Sequence, residues 1–173
     1  MILFNDLYTA FGELLVKKNT EVTAEVIRKV REKGESHNSL IVPMKNSEAF
    51  KDFLDVFNDD RYAVMFRPPV TTKEIADVAG SLMIENDILF ELSNMKGNLP
   101  YTYRHVLIVA AFMIKFAIIL KKNRYREETV AHCGFTHDLG KTRIPIKILE
   151  KEGKLSREEV DIIKTHPTIG YLL

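Results

Sequence analysis

Thr136-His137-Asp138-Leu139-Gly140-Lys141 is the stretch on which the reading of this chain turns. Neighbouring side chains on a regular helix point about 100° apart, so adjacent His and Asp converge on one ion only where a helix ends and its geometry loosens. An imidazole nitrogen beside a carboxylate oxygen suits a transition-metal ion, and the second carboxylate oxygen is free to bridge to another ion. Gly140 is expected to let the backbone turn, and Lys141 brings a cation close to where a phosphate would lie. A lone His-Asp pair is common and says little. The same pair followed by Gly-Lys at the end of an apolar helix is much more specific.

Working outward, two histidines can complete a set. His105 lies 32 residues before His137, early on the apolar run that starts at Val106, and His166 lies 29 residues after it, in Thr165-His166-Pro167. Taken singly, each has a plainer reading: His105 as a helix-surface or satisfied core residue, His166 as a helix cap. His132 is five residues before His137, about 140° away around an ideal helix, so the two are not expected to face one ion. His37, in Glu35-Ser36-His37-Asn38, reads as a solvated loop residue, and Cys133 as a small core residue. A mixed His and carboxylate set favours iron, manganese or another transition ion over calcium. Two such ions about 3.5–4 Å apart would polarise a phosphodiester and supply a nucleophile from water.

Farther out, the chain divides near residue 45. Leu7-Tyr8 and Leu14-Leu15-Val16 read as two strands joined by a turn at Gly12. Thr23 is expected to cap a helix carrying Val26, Ile27 and Val30, with Gly34 just beyond it. Leu40-Ile41-Val42 reads as a third strand, ended by Pro43. This strand-strand-helix-strand segment, residues 1–45, signals interaction or regulation rather than chemistry. From residue 46 to 173 the pattern is helical. Phe50, Phe53, Leu54 and Phe57 share one face. Thr71-Thr72-Lys73-Glu74 forms a capping box opening a long helix through Ile75, Val78, Leu82, Leu89 and Leu92, ended by Gly97 and Pro100. The next helix starts near Tyr101, and another runs from about Arg126 to Gly140. Ser156-Arg157-Glu158-Glu159 is a second capping box.

Composition narrows the classes. With 46% hydrophobic and 28% charged residues in 173, the chain has the apolar material for one packed domain with a small appendage. A formal net charge of +1 gives no basis for binding a nucleic-acid polymer. One cysteine excludes an internal disulfide framework and points to a reducing compartment, the cytoplasm. The N-terminus lacks the pattern of a signal peptide. The run Val106–Leu120 is about 15 residues, short of the roughly 20 that cross a bilayer, and Lys115 interrupts it, so a buried core helix is expected and no membrane span.

Together, His137-Asp138-Leu139-Gly140-Lys141, Ile144-Pro145, Ile148-Leu149, Gly153-Lys154-Leu155, Lys164-Thr165-His166-Pro167 and Gly170 resemble the HD-GYP branch of the HD superfamily of metal-dependent phosphohydrolases. The resemblance is dense from Thr136 to Leu173. It implies a mainly α fold, an HD-type helical core behind the small α+β segment, and phosphodiesterase activity on cyclic di-GMP in bacterial signalling. By position it implies that His105, His137 and Asp138 bind one metal ion, that Asp138 bridges to a second held also by His166, and that Lys141 contacts the substrate phosphate. Some members hold a third ion through a glutamate four residues before the first histidine. Here that position is Tyr101, which favours a two-metal arrangement.

The family core continues beyond the His-Pro segment with two further histidines, another acidic ligand and the Gly-Tyr-Pro motif, which Gly170-Tyr171-Leu172 is not. The apolar end Thr168–Leu173, without cap or polar tail, is expected to be the start of an interrupted helix in a longer protein. The chain as written is expected to hold metal weakly or not at all and to hydrolyse little. The rival readings are another nucleotide phosphohydrolase of the superfamily, which keeps the ligands and changes the substrate, and a signalling module that has lost its chemistry. A homodimer through the N-terminal segment or the apolar helices is compatible with either.

Overall fold

A computed structural model describes residues 6–8, 14–21, 23–33, 40–121 and 123–173. His37, Gly34 and the turn expected at Gly12 lie outside these residues. In chain order the elements are β1 (Leu7–Tyr8), β2 (Leu14–Val16), α1 (Ala24–Lys33), β3 (Ile41–Pro43), α2 (Glu48–Asp55), α3 (Thr72–Ser81), β4 (Met83–Glu85), α4 (Asn86–Asn98), α5 (Pro100–Ile119), α6 (Arg124–Thr136), α7 (Ile146–Leu149), α8 (Arg157–Ile163) and α9 (His166–Leu172). The mainly helical architecture with a small N-terminal α+β segment is as expected.

Local chemistry accounts for most helix starts. Thr71 Oγ1 accepts from Glu74 N at 3.2 Å while Glu74 Oε2 accepts from Thr71 N at 2.8 Å, and Ser156 and Glu159 form the same reciprocal box at 3.2 and 2.7 Å. These bonds satisfy backbone donors that a helix start leaves without partners. Thr23 Oγ1 accepts from Val26 N and Ser47 Oγ from Phe50 N, so α1 and α2 are capped as well.

The long helix expected over 71–97 does not form. It breaks into α3 and α4 around β4, which pairs antiparallel with β3, Val42 opposite Ile84. Leu82 and Ile84 are buried while Met83 and Glu85 are exposed, an alternation of period two that belongs to a strand. Met44 N donates to Leu82 O and Asn86 N to Leu40 O, both at 2.8 Å. Leu82 satisfies the helical and the strand pattern alike. The choice is made by a partner strand about forty residues earlier, not by the local sequence. Among the described residues β1 and β2 pair with each other and β3 with β4, so β3 is tied to the helical part of the chain rather than to the first two strands.

The main core is built on α5. Val106, Ala110, Ala111 and Ile114 are fully buried, and α6 packs closely along them. A Cβ on Gly134 would lie 2.6 Å from Ala110 Cα, so the two backbones approach at a distance only glycine permits. α5 is by length and composition long and apolar enough to cross a membrane; here its buried face is the centre of the helical core. Phe53 is wholly buried, its ring 5.3 Å from Phe135 and 5.4 Å from Phe57. Leu54, expected on the same face, is exposed, being about 100° round the helix from Phe53.

A second, smaller core joins the N-terminal segment to the C-terminal helices. Val16 and Val30 meet Ile144 and Ile169, with Val26, Ile27, Ile162 and Ile163 packed around them. Burying aliphatic side chains of this kind contributes about 1.5–3 kcal/mol each.

Candidate metal centre

α6 ends at Thr136, His137 takes the C-cap, and Asp138 leaves helical geometry at φ −110°, ψ 4°. Residues Leu139–Arg143 then tighten into a 3-10 turn. This is the loosening that two adjacent ligands require. Asp138 sits at the floor with 3% of its surface exposed. Its Oδ2 lies 3.4 Å from His137 Nε2, 3.9 Å from His105 Nε2 and 2.7 Å from Lys141 Nζ. Its Oδ1 faces the other way and lies 3.3 Å from His166 Nε2. His105 reaches the cluster from the second turn of α5 and His166 from the first residue of α9. All five residues singled out in the sequence therefore meet in one place.

The rings are held in a ligating orientation. His137 Nδ1 donates to Gly134 O at 2.9 Å, and His166 Nδ1 donates to Ile163 O at 2.8 Å. Each bond ties the far ring nitrogen to the carbonyl three residues back and turns Nε2 toward Asp138, as in sites where a histidine grips a metal. His105, His137 and Asp138 each offer a ligand atom within 4.8 Å of the others. Imidazole nitrogens around a buried carboxylate fit a transition ion; calcium would need more oxygen donors than the cluster has.

The electrostatics agree. Burial opposes ionisation of Asp138, but hydrogen bonds from His137 and Lys141 outweigh it and hold the carboxyl well below the usual carboxylate range. The bond to Asp138 raises the His137 pKa against the opposing effect of burial, with help from the Gly134 carbonyl. A buried anion that draws protons onto the ring beside it will draw a cation into the same space, with release of those protons.

Gly140 lies within the 3-10 turn Leu139–Arg143, as expected, without a left-handed backbone angle. Gly140 is required because α9 lies on top of it. A Cβ there would come 1.9 Å from His166 O and 2.6 Å from Gly170 N. Cys133, expected in the core, is exposed on α6. His132 turns away, as its spacing implied, its Nε2 3.1 Å from Met83 O. Tyr101 is 88% exposed and brings no carboxylate.

Sequence reasoning missed Glu91, Thr142 and Arg143, three buried polar residues directly behind the Asp138 turn. The available signal was Glu91 itself, one acid inside the apolar run Ile88-Leu89-Phe90-Glu91-Leu92. A cleft of about 470 Å³ also opens between Val42–Ala49 and α4, reaching Tyr103. Tyr103 is about 200° around α5 from His105, so the cleft lies away from the cluster, where the chemistry is.

Comparison with known proteins agrees with this geometry. Residues 102–173 match the model of the HD domain family. Over 126 residues the chain is 30% identical to the cyclic di-GMP phosphodiesterase PA4108 of Pseudomonas aeruginosa, a match covering 72% of this chain and 30% of that protein. Over 37 residues it is 51% identical to the cyclic di-GMP phosphodiesterase response regulator RpfG of Xanthomonas campestris pv. campestris, covering 21% of this chain and 10% of that one. The matches thus span less than a third of the length of either curated relative. No solved structure matches. With the His-Asp pair at the end of α6, the two flanking histidines gathered on Asp138 and the family match over the same residues, residues 102–173 are identified as an HD domain.

Proposed function

We propose that this chain carries the metal-binding part of a phosphodiesterase of the HD-GYP type, acting on cyclic di-GMP. The observation that carries the reading is Asp138. One buried carboxylate presents Oδ2 to His105 and His137 and Oδ1 to His166, with Lys141 alongside. In this reading His105, His137 and Asp138 hold one divalent iron or manganese ion, and Asp138 and His166 hold a second. The chemistry such ions supply when bound is Lewis-acid polarisation of phosphoryl oxygens and acidification of water. The chain's own part is to fix the donors and to offset charge. The Gly134 and Ile163 carbonyls lock two rings. Lys141, with its side chain 23% exposed, offers an ammonium to a phosphate oxygen at the mouth of the site. The named activity of the two curated relatives supports cyclic di-GMP as the substrate.

The test is elemental analysis of the longer protein that the HD-GYP resemblance implies, purified from iron- and manganese-supplemented medium, with parallel turnover of cyclic di-GMP and of mononucleotides. Metal bound at about two ions per chain with loss of the cyclic dinucleotide is the expected result. Protein that retains no metal refutes the reading, and turnover of mononucleotides alone points to another nucleotide phosphohydrolase. A companion variant separates binding from chemistry. Lys141→Met is expected to keep its metal, since it removes a competing cation 2.7 Å from Oδ2, while turnover falls about 10²-fold. Metal lost together with activity would place Lys141 among the groups that build the site instead.

A further inference from the structure

The turn that follows Asp138 is held from four directions. Leu139 enters the main core, Gly140 lies against α9, and Ile144, just past the turn, enters the second core. The fourth hold is polar. Thr142 and Arg143 point back to α4 and meet Glu91, the side chains of Arg143 and Glu91 being 8% and 7% exposed. Arg143 Nη1 donates to Glu91 Oε2 at 2.9 Å and Nη2 to Oε1 at 2.5 Å, a two-pronged pair. Nη1 also donates to Thr142 Oγ1 at 2.8 Å, and that hydroxyl lies 3.0 Å from Glu91 Oε2 and 2.8 Å from Leu139 O.

Stability alone is a poor reason for such a pair. Removing both ions from water offsets most of their attraction, and apolar residues of similar size commonly hold a fold as well or better. Apolar contacts are non-directional and specify register less sharply. A guanidinium fork meets a carboxylate in one planar arrangement, and a slip of the turn by one residue would leave two buried charges without partners. Lys141 and Asp138 belong to this turn: Lys141 N donates to Asp138 O at 2.9 Å, and Ile144 N donates to Lys141 O at 3.0 Å. Any slip of Thr142 and Arg143 moves Lys141 with them.

We propose that Glu91 is a positioning residue, which through Arg143 and Thr142 sets the register of the Leu139–Arg143 turn and so holds Lys141 against Asp138. Among the described residues Glu91 bonds to Thr142 and Arg143 and to none of the candidate ligands. Its importance for turnover rests on the function proposed above; its effect on the turn does not.

The test is the double variant Glu91→Leu with Arg143→Met in the full chain, which removes both charges together and keeps the site filled. Three quantities are read: the unfolding temperature, amide hydrogen exchange, and Mn²⁺ affinity. The unfolding temperature is expected to stay level or rise. The Lys141 and Ile144 amides are expected to exchange at least about tenfold faster while the Val106 and Ile114 amides of α5 keep their wild-type rates. Mn²⁺ is expected to bind about tenfold more weakly, because the loosened turn is bonded to the backbone of the ligand Asp138. A pair with only a structural role predicts otherwise, with turn and α5 amides changing together in proportion to stability. Wild-type exchange at Lys141 and Ile144 in the double variant overturns the proposal. Faster exchange there in a protein whose wild type binds no Mn²⁺ supports the positioning role and refutes the metal reading, so the two failures are distinct. If the double variant does not fold, Arg143→Lys, which keeps the charge but loses the fork, is measured in the same way with the same expected and overturning results.

Discussion

In the longer protein that the HD-GYP resemblance implies, Asp138→Ala is expected to remove bound metal and phosphodiesterase turnover together, the latter by about a thousandfold or more. The size of the effect follows from the position of this side chain. No other residue of the cluster faces all three imidazoles and Lys141, with Oδ2 toward His105, His137 and Lys141 and Oδ1 toward His166. Removing it takes a ligand from both proposed ions and leaves imidazoles and an ammonium facing one another without a counter-charge. His105→Ala should do less, because that side chain is 49% exposed and serves one ion only. Asp138→Asn keeps the shape and removes the charge, so a matching loss in that variant assigns the effect to charge rather than to packing. Elemental analysis and cyclic di-GMP turnover on the same preparations decide the matter, with circular dichroism to confirm folding. Activity retained by Asp138→Ala in manganese-replete buffer would falsify the assignment.

Gly140→Ala is expected to lower stability by about 3 kcal/mol and the unfolding temperature by about 6–12 °C, and to weaken metal binding through His166. The added methyl would lie 1.9 Å from His166 O and 2.6 Å from Gly170 N. Both atoms are backbone, so no side chain can swing aside, and α9 itself must shift. α9 carries His166 at its first position and Ile169 in the second core, so the shift reaches both the candidate site and the packing of the N-terminal segment. Gly97→Ala is the contrasting case. Nothing lies within 4 Å of its added Cβ, and alanine favours the helix, so a gain of up to about 1 kcal/mol is expected. Calorimetry on the two variants separates close approach from helix propensity. A Gly140→Ala protein that melts within about 1 °C of wild type would refute the contact.

What could be read from the chain itself was whatever local spacing encodes. Capping boxes at Thr71 and Ser156 declare helix starts because their partner is three residues away. The His137-Asp138 pair at a helix end, with histidines 32 residues before and 29 after, was enough to nominate every member of the cluster. The resemblance to HD proteins then told which ends of the chain come together, which spacing alone does not. Tertiary structure decided whatever depends on a distant partner. Leu82–Glu85 fits either a helix or a strand until Ile41–Pro43 supplies the hydrogen bonds. Gly140 looks like no more than a turn glycine until α9 is laid across it. Glu91 stands out only as one acid in an apolar run and Arg143 not at all, and the two become a buried pair only when α4 meets the Asp138 turn. A short-range bond leaves a trace in neighbouring letters, whereas a contact across fifty residues is shared between two sites, neither of which names the other. The members of the candidate cluster were therefore legible in the sequence, and the means by which its geometry is held was not.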